Sequence, residues 1–125
     1  MADMEQWNNI INALKAAGLT AFAPGGHIGV CTAPYCVVQP CGGTMEEKSP
    51  RGGRAVYRIY LVVPCDMPQQ LDVLATAASA ALNGLITAGT LQLAVPRGQT
   101  MIDNGFMALI SSMDYYCYYS ERNNI

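Results

Sequence analysis

Apolar residues recur at intervals of three and four in two stretches of this chain and alternate with polar ones in others, and these patterns predict its elements. Trp7, Ile10, Ile11 and Leu14 have helical spacing, with Asn8, Asn9, Asn12 and Lys15 on the wet side. Asp3 and Gln6 form a capping-box pair ahead of them, and Gly18 stands where a helix closes. A β-like run extends from about Ile28 to Val38, interrupted by Pro34. Tyr57, Ile59, Leu61 and Val63 alternate with Arg58 and Tyr60, which predicts a central strand over Ala55 to Val63 packed on one side. Leu71, Leu74, Ala75, Ala78, Leu82 and Leu85 then form a second helical stripe, with Asp66 as its cap and a proline in the first turn. Leu91, Leu93 and Val95 alternate before Pro96-Arg97-Gly98, and a long strand runs from Phe106 to about Tyr119 after the turn signal Asp103-Asn104-Gly105. The simplest closure is a hairpin whose tip spans Pro96 to Gly105.

Between the first strand and the central one the composition changes. Gln39 to Arg54 holds Gly42, Gly43, Gly52, Gly53, Pro40 and Pro50 around Glu46, Glu47, Lys48, Arg51 and Arg54, which reads as a long loop. Ser120 to Ile125 is polar and reads as a loose C-terminus. The expected fold is therefore α+β, one domain over residues 1–125. An antiparallel β-sheet carries two α-helices packed on one face, in the order α-β-β-α-β-β.

A chain of 125 residues is the size of one ordinary domain and buries roughly two thirds of the surface it exposes when unfolded. Its composition, 51% apolar and 13% charged, excludes wholesale disorder and points to a surface partly covered by other subunits. A net charge of −2 gives no basic field to gather nucleic acid. No apolar run is long enough to span a bilayer, and the start Met1-Ala2-Asp3-Met4-Glu5 is acidic where a signal peptide is basic, so no membrane partner is expected. Cys31, Cys36, Cys41, Cys65 and Cys117 fit no zinc or thioredoxin spacing and read as reduced structural thiols.

Little in the chain points to catalysis. His27 and Cys31 are four residues apart and would share a strand face, a possible activated thiolate. The flanking Gly25, Gly26 and Gly29 argue against regular strand geometry there, and a turn histidine beside a buried thiol is the simpler reading. Asp66 and Asp72 suit the positive end of a helix, and Glu46 and Glu47 are adjacent, so neither pair suits acid-base work or a hard metal. The glycine pairs lack a phosphate-loop pattern. No catalytic, cofactor-binding or metal-binding residue is predicted, and no cofactor.

Two features stand out. Lys48, Arg51, Arg54 and Arg58 are four of the seven basic residues, which makes the long loop a candidate surface for a partner or for a lumen facing nucleic acid, with Lys48, Arg51 and Arg54 as its residues. Tyr115-Tyr116-Cys117-Tyr118-Tyr119 cannot all enter one core from a strand. Tyr116 and Tyr118 share a face with Ser112 and Asp114, point away from the helices and are candidates for a subunit interface.

The ordering resembles the tail terminator, or tail-completion, proteins of long-tailed bacteriophages. The residues that carry the likeness are Leu14-Lys15-Ala16-Ala17-Gly18-Leu19, Tyr35-Cys36-Val37-Val38-Gln39-Pro40, Tyr57-Arg58-Ile59-Tyr60-Leu61-Val62-Val63-Pro64, Leu71-Asp72-Val73-Leu74, Ala94-Val95-Pro96 and Gly105-Phe106. The resemblance implies a non-enzymatic virion protein, a homohexameric ring that caps the tail tube, ends its growth and joins it to the capsid neck. Its implied partners are itself, the tail tube protein and a neck or head-completion protein, with DNA passing through the lumen without sequence-specific binding. Its implied place is the tail-neck junction of the virion, and the host cytoplasm during assembly. A hairpin loop reaching toward the tube would suit residues 41–54. Another head-to-tail connector, a minor tail subunit, a monomeric small-molecule-binding or regulatory α+β module, and a thiol enzyme remain as alternatives.

Overall fold

The computed structural model describes residues 2–26, 31–45, 52–89, 91–95, 98–105 and 107–120. Its elements in chain order are α1 (Ala2–Ala16), β1 (Ala21–Phe22), β2 (Tyr35–Met45), β3 (Gly52–Pro64), α2 (Gln69–Thr87), β4 (Gln92–Val95), β5 (Met101–Asp103) and β6 (Ala108–Ser120). The chain is α+β. Its sheet is six-stranded and ordered β1-β2-β3-β6-β4, with β5 also paired to β6. The sheet is mixed rather than antiparallel, because β1 runs parallel to β2 through Ala21 opposite Cys36 and Phe22 opposite Val37.

Both helices form where the apolar stripes lie, but each start differs from its expected cap. α1 already includes Ala2 and Asp3, so Asp3 is not the residue before the helix. It ends in a Schellman turn: Gly18 adopts φ 85°, its N–H donates to the Lys15 carbonyl, and the Leu19 N–H reaches back to Leu14. α2 begins at Gln69 with Pro68 as N-cap and no side-chain cap, which leaves Asp66 exposed in the preceding turn. Proline's fixed φ and absent N–H suit that position without a capping carboxylate.

Residues 39–54 are the largest correction. Most of this stretch is strand, since β2 runs on to Met45 and β3 starts at Gly52, and the register pairs Gly43 with Ala55, Thr44 with Arg54 and Met45 with Gly53. A register shift between Pro40, opposite Tyr57, and Gly43, opposite Ala55, takes up Cys41 and Gly42 against Val56 alone. The break at Pro34 is real, because β2 begins one residue later. Pro96–Gly105 is not a simple hairpin tip either. Met101, Ile102 and Asp103 pair with Ile110, Leu109 and Ala108, and only Asn104 and Gly105 with their neighbours turn the chain into β6. Ser120, expected to be loose, is the last residue of β6 and pairs with Gly52, while residues 121–125 lie outside the described ones.

The main core joins Ile10 and Leu14 of α1 and Leu71, Leu74, Ala78 and Leu82 of α2 to Cys36 and Val38 of β2, Tyr57, Ile59, Leu61 and Val63 of β3, and Met113, Tyr115 and Cys117 of β6. These strand residues are alternate ones, so they share one face of the sheet. Trp7 packs at the rim and donates its indole N–H to the Val38 carbonyl at 2.9 Å, satisfying a polar group beyond the end of β1. A second, smaller core lies on other residues of the same strands. Cys31, Tyr35, Val62 and Ala108 are buried together, flanked by Phe22, Val37, Tyr60 and Ile110, and the Phe22 and Tyr35 rings meet edge to face at 5.5 Å. The central strand is therefore covered on both faces at its Val62 end, not on one side alone.

Candidate functional site

The second face of the sheet, away from the smaller core, carries the chain's most distinctive polar arrangement. Register places Arg58 between Gln39 on β2 and Asp114 on β6, with Tyr60 and Ser112 paired on one side and Val56 and Tyr116 on the other. Arg58 Nε donates to Asp114 Oδ1 at 2.8 Å and its Nη2 to Oδ2 at 3.1 Å, a bidentate fork. The bonds to Asp114, followed by one to Tyr60, hold the guanidinium above its already high pKa. Arg58 thus belongs to an internal ion pair and not with the loop cations. That pair is 56 residues apart in sequence, and only the β3–β6 register reveals it.

The ion pair is asymmetric. The Arg58 side chain is 43% exposed and the Asp114 side chain 14%. Asp114→Ala leaves a cation that water can reach and should cost about 1 kcal/mol, whereas Arg58→Ala strands a largely buried carboxylate and should cost about 2–3 kcal/mol. Urea midpoints of the two single variants check this. Equal losses would mean that the carboxylate hydrates as readily as the guanidinium.

Beside this pair Tyr116 is half-buried, and its hydroxyl donates to Gln92 Oε1 of β4 at 3.3 Å. Tyr115, its neighbour, is buried among the core residues, where burial pushes its phenol pKa up and a hydrogen bond with Ser79 opposes that. Of the other predicted site residues, the register sets Arg54 directly opposite Tyr118, one pair beyond Val56 and Tyr116. Lys48 and Arg51 lie outside the described residues. Past the last core residues Val38, Ala55 and Cys117, the three strands stay paired out to Met45, Gly52 and Ser120. Arg54 and Tyr118 sit in that distal, three-stranded blade.

Among the described residues, three of the six exposed large apolar side chains lie on one edge of the sheet, and the other three, Met67, Val73 and Met107, lie elsewhere. β4 and β5 both pair with the side of β6 that β3 leaves open, and between them the Gly98 N–H donates to the Ser112 carbonyl while Ser111 Oγ donates to the Gly98 carbonyl, both at 3.0 Å. On this edge Leu93, Met101 and Ile102 are 47%, 63% and 68% exposed. Alternation groups Leu93 with Leu91 and Val95, but Leu91 is buried and Leu93 is not, and Met101 and Ile102 fall in the stretch that the sequence assigns to a hairpin tip.

Of the proposed thiol pair, His27 lies outside the described residues, and Cys31 is buried, with its Sγ donating to the Ala33 carbonyl at 3.3 Å. Burial pushes the Cys31 thiol up, opposite to what an activated nucleophile requires. None of the five cysteines forms a disulfide. Among the described residues no group of three or more His, Cys, Asp or Glu side chains could hold a metal ion, and no helix is long and apolar enough to cross a membrane. A shallow groove of about 240 Å³ between the end of α1 and the start of α2 is lined by Leu19, Pro34, Gln70, Val73 and Leu74. No protein-family model matches this chain, and no curated protein matches its sequence.

Proposed function

We propose that this chain is a structural subunit of the tail-terminator kind, one that assembles into a homohexameric ring on the end of a phage tail tube, stops its growth and offers the capsid neck a joining surface. The observation that carries the reading is the apolar edge formed by Leu93, Met101 and Ile102 on β4 and β5. Side chains this large and this exposed on adjoining short strands favour a covering partner, and a chain with 13% charged residues has few charges to keep that edge wet. A contact between this edge and a different surface of the next copy is head-to-tail, and such a contact makes a ring where the rotation between copies closes, as six-fold symmetry requires here. Tyr116, opposite Gln92, shares a sheet face with Met101, whose register partner Ile110 is an even number of residues from it on β6, while Leu93 and Ile102 lie on the other face of the same edge.

The β2–β3 hairpin supports the second half of the proposal. It continues as paired strand past the core, and Lys48 and Arg51 lie in the connection between its strands, next to Arg54. A paired arm that carries Arg54, with Lys48 and Arg51 beside Glu46 and Glu47 in its connection, suits a contact with the tube protein or a lumen through which DNA passes without sequence readout. In this reading the protein does no chemistry, assembles in the host cytoplasm and ends at the tail-neck junction.

Light scattering and negative-stain images of the purified protein test the proposal. The expected result is a ring of about six times the 13.4 kDa chain mass, either free or on the ends of added tail tubes. A particle that stays monomeric and leaves tube ends bare would sink it, and a ring that binds capsids but not tubes would favour a head-side connector.

A further inference from the structure

A second surface carries chemistry that the assembly reading does not use. A groove of about 340 Å³ is lined by Cys31, Cys65, Met67 and Met107, with Thr32, Pro64 and Asp66 alongside. Its four sulfur-bearing residues come from three separate places: the segment before β2, the turn after β3 and the turn into β6. We propose that this groove binds one soft, thiophilic monovalent cation, Cu(I), through the thiols of Cys31 and Cys65 and the thioethers of Met67 and Met107.

The backbone holds these segments together. The Cys65 N–H donates to the Met107 carbonyl at 3.1 Å, and the Met67 N–H to the Pro64 carbonyl at 3.0 Å. Met107 is placed by a left-handed backbone, φ 53°, which is rare for a side chain of this kind. Cys31 and Cys65 both line the groove, from segments on either side of β2 and β3. Cys31 is buried at the floor, while Cys65 and the two methionines are exposed at the mouth, so an ion can enter from solvent and finish against the floor.

The donor set selects the ion. Two thiols and two thioethers suit Cu(I), whereas hard cations need six or more oxygens and here meet only two side chains that carry one, Thr32 and Asp66. Zn²⁺ takes nitrogen, thiolate and carboxylate ligands in fours and gains little from thioethers. Each thiol that ligates the ion releases its proton to solvent. The groove includes neither Leu93, Met101, Ile102 nor Tyr116, so it stands or falls apart from the ring.

The test is a titration of the reduced full-length protein with Cu(I) held in a chromogenic bicinchoninate buffer, repeated with Ag(I) by calorimetry. One ion per chain is expected. Cys65→Ser, at an exposed position, should weaken binding at least as much as the roughly 100-fold that loss of a supporting group costs at a metal site. Met107→Leu should weaken Cu(I) and leave any residual Zn²⁺ binding unchanged. Cys41→Ser, an exposed thiol elsewhere, should bind as the parent does. Binding that survives Cys65→Ser, that is lost with Cys41→Ser, or that Zn²⁺ displaces at equal concentration overturns the proposal. Cys31→Ser is not relied on, because a buried hydroxyl there also threatens the fold.

Discussion

Tyr115→Ala should destabilise the subunit by about 3–5 kcal/mol, while Tyr116→Ala, one residue along the same strand, should cost less than about 1 kcal/mol. Tyr115 is 1% exposed and faces Tyr57 across the β3–β6 pair, between Met113 and Cys117 and beneath α2. Truncating it removes an aromatic ring from a site that cannot collapse, because strands on both sides fix the backbone. Tyr116 is half-buried, and its hydroxyl bond to Gln92 is exposed to water. The order reverses for assembly. If Tyr116 belongs to the subunit contact, its loss should weaken the ring by about 2 kcal/mol per contact. Urea unfolding gives the first comparison, and the concentration dependence of the ring mass gives the second. Equal subunit destabilisation by both variants would place Tyr116 in the core and remove it from the interface.

This pair also shows how far the chain is legible without its structure. Alternation in a strand divides consecutive tyrosines between two faces, and the buried set Met113, Tyr115 and Cys117 is the division that periodicity gives. α2 and β3 were readable for the same reason, since each repeats its apolar period long enough to name a face. Gly18 was readable because few other residues adopt φ 85° at a helix end without strain.

What was hidden depended on partners distant in sequence. Gly42, Gly43, Gly52 and Gly53 look like a loop by composition, but β2 and β3 pair through Gly43 and Gly53 once the bulge after Pro40 has shifted the register, and Gly52 pairs with Ser120 of β6. Pro40 lies beyond Val37, the last residue that β1 pairs, so its missing N–H falls on an edge. β1 has two residues and no period to read. The smaller core joins Cys31, Tyr35, Val62 and Ala108 from four separate stretches, and none of them announces the others. The same holds for the candidate site. Lys48, Arg51 and Arg54 were found as a cluster of charge, but Arg58, counted beside them, turned out to be committed to Asp114.

Alkaline pH should destabilise this fold before it touches any assembly surface. Cys36 is fully buried in the main core, and burial pushes its thiol from 9.0 up to about 12. In the unfolded chain the thiol ionises near its ordinary value, so between the two values the unfolded state holds fewer protons than the folded one. Stability is therefore fully present below about pH 9 and falls as pH rises, at a limiting slope of about 1.4 kcal/mol per pH unit for this one group. Tyr35, Tyr115 and Cys31 are also shifted upward by burial, which adds to the slope at the alkaline end. Urea unfolding at a series of pH values from about 8 to about 11 reads the effect directly. Cys36→Ala should lower stability by about 1 kcal/mol near neutrality, through the lost sulfur, and flatten the alkaline decline by close to one proton. The two proteins should converge as pH rises and then cross. Parallel declines would show that the Cys36 thiol ionises as easily folded as unfolded, which its position between α1 and β3 does not allow.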